Sequence, residues 1–164
     1  MSTNEPHPTV SAGLKSHGIE YRVFECEEHL ADTAIFCEHY NFAPETTANT
    51  IIAVGKSTPP KFACGVILAT TKLDVNKKIS HLLGIKRCSF ASAEQTLELT
   101  GMQIGGVTPF GLPDLPIYLD SRVMDCDEVL LGGGNRTTKV ILKPAELLKL
   151  PKSEVISGLA LTRD

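Results

Sequence analysis

"TIIAVGKSTPPKFACGVILA", Thr50–Ala69, sets two apolar runs on either side of a turn rich in chain breakers. Thr50-Ile51-Ile52-Ala53-Val54 is dominated by β-formers, and Phe62–Ala69 is a second run of the same kind. The GKSTPPK segment between them, with its glycine, serine and two prolines, continues neither strand. The pattern predicts a hairpin of two core strands.

Upstream of the hairpin, Pro6 and Pro8 make residues 1–8 read as a frayed start. Thr9 is placed to cap a short helix through His17, with Gly18 as its stop. Ile19–Phe24 alternates as a strand does, and Asp32–Tyr40 reads as a helix with Ile35, Phe36 and Tyr40 at helical spacing. Downstream, Asp74 can cap a helix over Val75–Leu83 that ends at Gly84. Arg87–Ala91 is a short strand, and Ser92 with Gln95 forms a capping-box pattern for a helix to Thr100 that stops at Gly101. Strands are expected over Pro116–Asp120, Glu128–Leu131, Thr138–Leu142 and Val155–Leu161, with a helix opened by Pro144 and running through Leu150. Strands and short helices alternate without the rhythm of βαβ crossovers. The expectation is one α/β (α+β) domain over residues 1–164, with a curled, mixed, barrel-like sheet flanked by short helices.

Composition narrows the function. With 42% hydrophobic residues, 21% charged residues and a net charge of −3, the chain can bury a real core. It lacks the broad basic surface that long nucleic acids require. A local patch holding one RNA end remains compatible with that charge. Tryptophan is absent and aromatics make up 5% of the chain, which argues against a stacking platform for single strands. No run is long and apolar enough to span a bilayer, and the start MSTNEPHPTV lacks a signal-peptide pattern, so a cytoplasmic location is expected. Cys26, Cys37, Cys64, Cys88 and Cys126 are scattered without a C-x-x-C pair, so buried free thiols are expected rather than a zinc site or disulfide framework.

Two glycine-rich loops are the places where chemistry could reside. In IGGVTPFG (Ile104–Gly111), Gly105, Gly106, Val107, Thr108 and Pro109 could present consecutive main-chain N–H groups to a carboxylate, a phosphate or a developing oxyanion. In the second loop Gly133, Gly134 and Arg136 could add a wall with a guanidinium fork. Spacing alone is more often the signature of two tight turns. Neither string is a Walker loop or a dinucleotide fingerprint, and no G-x-S-x-G elbow is present. His29, His39 and His81 suggest no shared metal, and Cys37 and Cys64 have no neighbour in sequence that would activate a thiol. KLDVNKK (72–78) reads as the solvated side of a helix, with RNA contact as the alternative.

Three segments carry a resemblance: LDVNKKISHLLGIKRCSFASAEQTLELTG (73–101), GMQIGGVTPFG (101–111) with LPIYLD (115–120), and LGGGNRTTKVILKPAELLKL (131–150). Together they resemble the YbaK/EbsC family of freestanding aminoacyl-tRNA deacylases, relatives of the editing domain inserted in bacterial prolyl-tRNA synthetases. The resemblance covers roughly residues 10–150. It implies a pocket for the 3′ end of a mischarged tRNA and hydrolysis of the aminoacyl ester, with no cofactor or metal. Main-chain N–H groups of Gly105 and Gly106 would stabilise the oxyanion, and Val107, Thr108, Pro109, Gly133, Gly134 and Arg136 would hold substrate. Ribose hydroxyls and a bound water would carry much of the proton transfer. Association with a synthetase or an elongation factor stays open, as does the oligomeric state. In one respect the chain departs from the family. Where relatives carry a lysine in a "(V/Y)KT(L/I)" string, this chain has Ala48-Asn49-Thr50-Ile51. Asn49 offers hydrogen bonds without charge, which admits either an enzyme or a binding protein that has lost efficient hydrolysis. Lys56, Lys61 and Lys72 are the candidate cations to compensate by reaching back into the pocket.

Overall fold

The computed structural model describes residues 5–162. In chain order the elements are α1 (Pro8–Ser16), β1 (Arg22–Glu25), α2 (Thr33–Tyr40), β2 (Ala48–Gly55), β3 (Lys61–Leu68) and β4 (Thr71–Leu73). There follow α3 (Ser80–Leu83), β5 (Cys88–Phe90), α4 (Ala93–Thr100), β6 (Ile117–Asp120), β7 (Val129–Gly132), β8 (Thr138–Leu142), β9 (Ser153–Ile156) and β10 (Ala160–Thr162). Single 3-10 turns cover Glu28–Leu30, Pro44–Thr46 and Val123–Asp125, and a longer one covers Pro144–Lys149.

The hairpin is the spine of the largest sheet. β2 and β3 pair antiparallel from Ala48↔Leu68 to Gly55↔Lys61. β5 adds to the outer side of β2, while β6 joins β3 in parallel and β9 joins β6 in parallel, giving the order β5-β2-β3-β6-β9. Burial of Ala63–Leu68 follows from this central position, since an internal strand is covered on both faces. A second sheet, β1-β8-β7, is antiparallel throughout. A parallel bridge between Thr47 and Leu130 brings the start of β2 against β7 and curls the two sheets toward each other. The large core fills the space inside this curl, with Val66, Leu119, Leu131 and Val140 fully buried. A separate aromatic cluster of Phe24, Phe36, Tyr40 and Phe42 packs α2 on β1, with ring centroids 4.9–5.7 Å apart.

Local signals in the sequence appear where expected. Ser92 and Gln95 make the reciprocal capping box, and Gly84 and Gly101 end their helices in the left-handed conformation. Asp74 accepts from the Lys77 N–H, but the helix it caps begins as a π turn over Val75–Ile79 before α3. Three expectations need correction. The segment read as one strand over Val155–Leu161 is two short strands, β9 and β10, separated by a turn at Gly158 with φ +72°. β10 turns away from the large sheet to pair with β4, which takes in Lys72 and Leu73 from the start of the charged stretch 72–78 that reads as helix surface. Part of the segment expected to fray is held instead. Pro6 is buried, the His7 N–H donates to Gly133 O at 2.8 Å, and His7 Nδ1 accepts from the Thr9 N–H, so His7 caps α1 in place of Thr9. The rest of that segment, residues 1–4, lies outside the described residues.

Candidate active site

Where the two sheets meet they leave a cavity of about 320 Å³. Its floor is the start of β2, from Ala48 to Ile52, facing the end of β7. Asp32, Thr33 and Phe36 from α2 form one side, and Ile104, Gly105 and Val107 from the first glycine loop form the other. Lys139, near the start of β8, closes the wall.

The two glycine loops interlock through their backbones. The Gly134 N–H donates to Gly106 O at 2.6 Å. A Cβ on Gly106 would sit 2.3 Å from Asn135 O, and one on Gly132 would sit 2.6 Å from Gly106 O. These glycines are required where main chain meets main chain. Gly105 adds a positive φ of +92° and has the Arg136 guanidinium and the Asp32 carboxylate over the place of its missing side chain. Arg136 Nη1 donates to Asp32 Oδ1 at 2.9 Å and to Ile104 O at 2.7 Å, and its Nη2 donates to Glu28 O at 3.0 Å. One guanidinium therefore ties the 3-10 turn before α2, the head of α2 and the glycine loop together at the cavity mouth.

Of the residues singled out from sequence, Asn49, Gly105 and Val107 line the cavity. Gly106, Thr108, Pro109, Gly133, Gly134 and Arg136 do not border it. Gly106 also differs from the expected arrangement in its N–H, which donates to Gln103 O at 2.9 Å. Among the described residues, the N–H groups of Gly105 and Val107 have no acceptor. Asn49 Oδ1 accepts a short hydrogen bond from Thr33 Oγ1, which leaves its amide N–H₂ without a partner among the described residues. The buried Thr50 hydroxyl likewise has none.

Lys56, Lys61 and Lys72, the cations considered as substitutes for the family lysine, are not among the lining residues. The lysine that does reach the cavity is Lys139, which sequence reading passed over. It is 4% exposed, and its Nζ donates to Ala31 O at 2.7 Å and Gly105 O at 2.8 Å, 5.2 Å from the Phe36 ring centroid. Its cross-strand neighbour on β7 is Gly132, whose lack of a side chain lets the carbonyls of Gly106 and Val107 pack against the strand there. Burial lowers the Lys139 pKa from the ordinary lysine value, and the nearby Cys26 pulls it partly back. The signal was a lone charge in the strand run Thr138–Leu142, otherwise threonine and aliphatic residues. The cavity as a whole is rich in hydrogen-bond donors, and its one carboxylate, Asp32, is engaged by Arg136.

The cysteines are free, and all but the half-buried Cys126 are buried. Burial pushes the thiols of Cys26, Cys64 and Cys126 up, which makes them poorer nucleophiles at neutral pH. None of the five lines the cavity. Among the described residues no group of three or more His, Cys, Asp or Glu is placed to hold a metal ion, and no helix is long and apolar enough to cross a membrane.

The aminoacyl-tRNA editing domain family model matches residues 27–150, a span that holds the cavity and both glycine loops. The chain belongs to this family. Among curated relatives, the uncharacterized protein YwhH of Bacillus subtilis is 37% identical over 91 residues, 55% of this chain and 57% of the relative. The multifunctional Ser/Thr-tRNA deacylase ProXp-y of Escherichia coli K12 is 31% identical over 94 residues, 56% of each chain. The chain thus spans about half the length of the curated relatives it matches. The editing-domain fold is matched over nearly the whole chain. The crystal structure of the hypothetical protein APE2540 superposes with a TM-score of 0.82 at 22% identity, covering 93% of this chain and 99% of that one. A second crystal structure, assigned provisionally as a trans-editing enzyme for prolyl tRNA synthetase, gives 0.78 at 25% identity, covering 92% and 96%.

Proposed function

We propose that this editing domain is a trans-acting aminoacyl-tRNA deacylase of the prolyl-tRNA-editing type, acting in the cytoplasm on the 3′ end of a mischarged tRNA. The observation that carries the reading is a cavity lined with unpartnered donors and no nucleophilic cysteine, lying within the matched family region. Such a lining suits an ester, whose carbonyl oxygen accepts hydrogen bonds and gains negative charge as the carbonyl carbon becomes tetrahedral. A water oxygen bonds to the carbonyl carbon, and the bond from that carbon to the ribose oxygen breaks. One water proton passes to the ribose oxygen, and the other leaves with the ionising carboxylic acid. The N–H groups of Gly105 and Val107 and the Asn49 amide donate toward the acyl group. Gly106, Gly133 and Gly134 hold the loops at their spacing, Thr108 and Pro109 continue the first loop, and Arg136 shapes the mouth. A synthetase or elongation factor would add tRNA affinity that a net charge of −3 does not supply.

The test is deacylation of a panel of mischarged tRNAs. It includes seryl- and threonyl-tRNA, because the ProXp-y relative bears those amino acids in its name. Turnover of at least one mischarged species above its spontaneous rate is expected. A second reading, a binding protein without efficient hydrolysis, is favoured by the neutral Asn49. It requires that the whole panel stay intact, that a non-hydrolysable aminoacyl-adenosine bind tightly, and that Asn49→Lys restore turnover.

A further inference from the structure

Lys139 stands out because, among the described residues, no carboxylate is paired with it. The nearby Asp32 is committed to Arg136. An ammonium has three N–H groups, and here two are used, on the carbonyls of Ala31 and Gly105. A buried charge without a counter-ion is costly to keep, so a fold that needed only a tie between Ala31 and Gly105 would be served by a neutral donor. The remaining N–H belongs to a group that lines the cavity, beside other donors that also lack acceptors. Such a site is one negative charge short of balance until a ligand arrives.

We propose that Lys139 supplies that charge to the ligand: its ammonium meets the negative oxygen that develops on the ester carbonyl, replacing from β8 the cation that Asn49 does not provide on β2. The inference rests on the deacylase reading for the identity of the oxygen, and on the cavity geometry for the charge. Carbonyl partners suit the task, since they fix the ammonium in place without cancelling its field. The same contact to Gly105 O orients the loop peptide next to the free N–H of Gly105. The charged and titratable groups near Lys139 are Cys26, Cys37, Asp32 and Arg136.

Two adenosine probes separate charge from structure. One carries a serine analogue on the 3′ position through a neutral amide; the other carries it through an anionic phosphonate that mimics the tetrahedral intermediate. Wild-type protein is expected to bind the phosphonate at least tenfold more tightly than the amide. Lys139→Gln keeps a donor for the carbonyls and loses the charge; Lys139→Met fills similar space with neither. Both variants should lose the preference while the amide affinity of Lys139→Gln stays within about threefold of wild type. Single-turnover deacylation by Lys139→Gln should fall by about a hundredfold, with KM little changed. Should both variants fail to fold, the wild-type preference measured against pH serves instead, and it should vanish as Lys139 loses its proton. A preference that survives in Lys139→Gln or at high pH overturns the proposal, as does wild-type protein that binds the probes equally or binds neither. Loss of the preference in a protein that hydrolyses no mischarged tRNA would uphold Lys139 as the charge and remove the deacylase reading. Turnover with an unchanged preference would do the reverse.

Discussion

Asn49 enters the cavity with its acceptor already engaged. Thr33 Oγ1 donates to Oδ1, so the amide is oriented with its N–H₂ free, and a neutral donor is what β2 offers the ligand. Asn49→Ala removes one hydrogen bond to a neutral partner, worth on the order of 0.5–1.5 kcal/mol, and should slow deacylation by up to about tenfold. Steady-state kinetics on the best mischarged tRNA would read it, and a loss beyond a hundredfold would mean that Asn49 does more than donate. Lys139 carries a different expectation. Burial favours its neutral form, so its titration, followed by the ¹³C shift of its side chain, should fall below that of the surface lysines. The cation is complete below that midpoint, so turnover that depends on it should decline as pH rises through it, before ordinary lysines lose their protons near 10.4. A midpoint equal to that of the surface lysines would contradict this. The two residues also mark the limit of reading a chain one position at a time. Asn49 was conspicuous because it interrupted a motif. Lys139 sat inside a quoted motif, and what distinguishes it from a surface lysine, its place on the central strand of β1-β8-β7 under the Ala31 and Gly105 carbonyls, is set by partners distant in sequence.

The two glycine loops act as one element. Gly106 lies against the main chain of Asn135, and Gly132 against the carbonyls of Gly106 and Val107. A methyl group at Gly106 has only backbone to displace, so Gly106→Ala should cost about 1–3 kcal/mol of stability through overpacking. Denaturant unfolding would measure this, and the cavity should lose ligand affinity as the loops part. A variant of unchanged stability would show that the contact relaxes freely. Elements written in consecutive residues were legible in the sequence for a plain reason: the hairpin β2–β3, the capping box at Ser92 and the helix stop at Gly101 depend on neighbours a few positions away. The division of Val155–Leu161 was not, because an apolar run has the same appearance whether it continues straight or turns at Gly158 to find β4. The glycine loop lies between these cases. Its spacing admitted a close backbone approach beside the commoner reading of a tight turn, and which N–H groups stay free is decided by Gln103 O, which takes the one on Gly106.

Across the whole molecule, a curled pair of sheets holds one large core and two smaller ones, and a thiol in the large core makes it sensitive to alkali. Cys64, on β3, is fully buried and its pKa is raised by burial alone. In the unfolded chain the same thiol ionises near 8.5, so above that pH the unfolded state releases a proton that the folded state retains. Stability should therefore be intact below about pH 8.5 and fall as pH rises beyond it, by roughly 1.4 kcal/mol per pH unit for one such thiol. Cys64→Ala should flatten this dependence by that slope while lowering stability at neutral pH; an unaltered slope in urea titrations at pH 8–10 would refute the assignment. The sheet order has a consequence in time as well. β3 cannot gain its parallel neighbour until β6 has been made, β6 waits for β9, and β4 waits for β10 near the far end of the described chain. A ribosome delivers the central strands well before the partners that cover them, so the early hairpin spends much of synthesis with an open edge. A protein of this topology completes its large sheet only when β9 has emerged, and until then its nascent form carries an unpaired strand edge on which a second nascent chain can add.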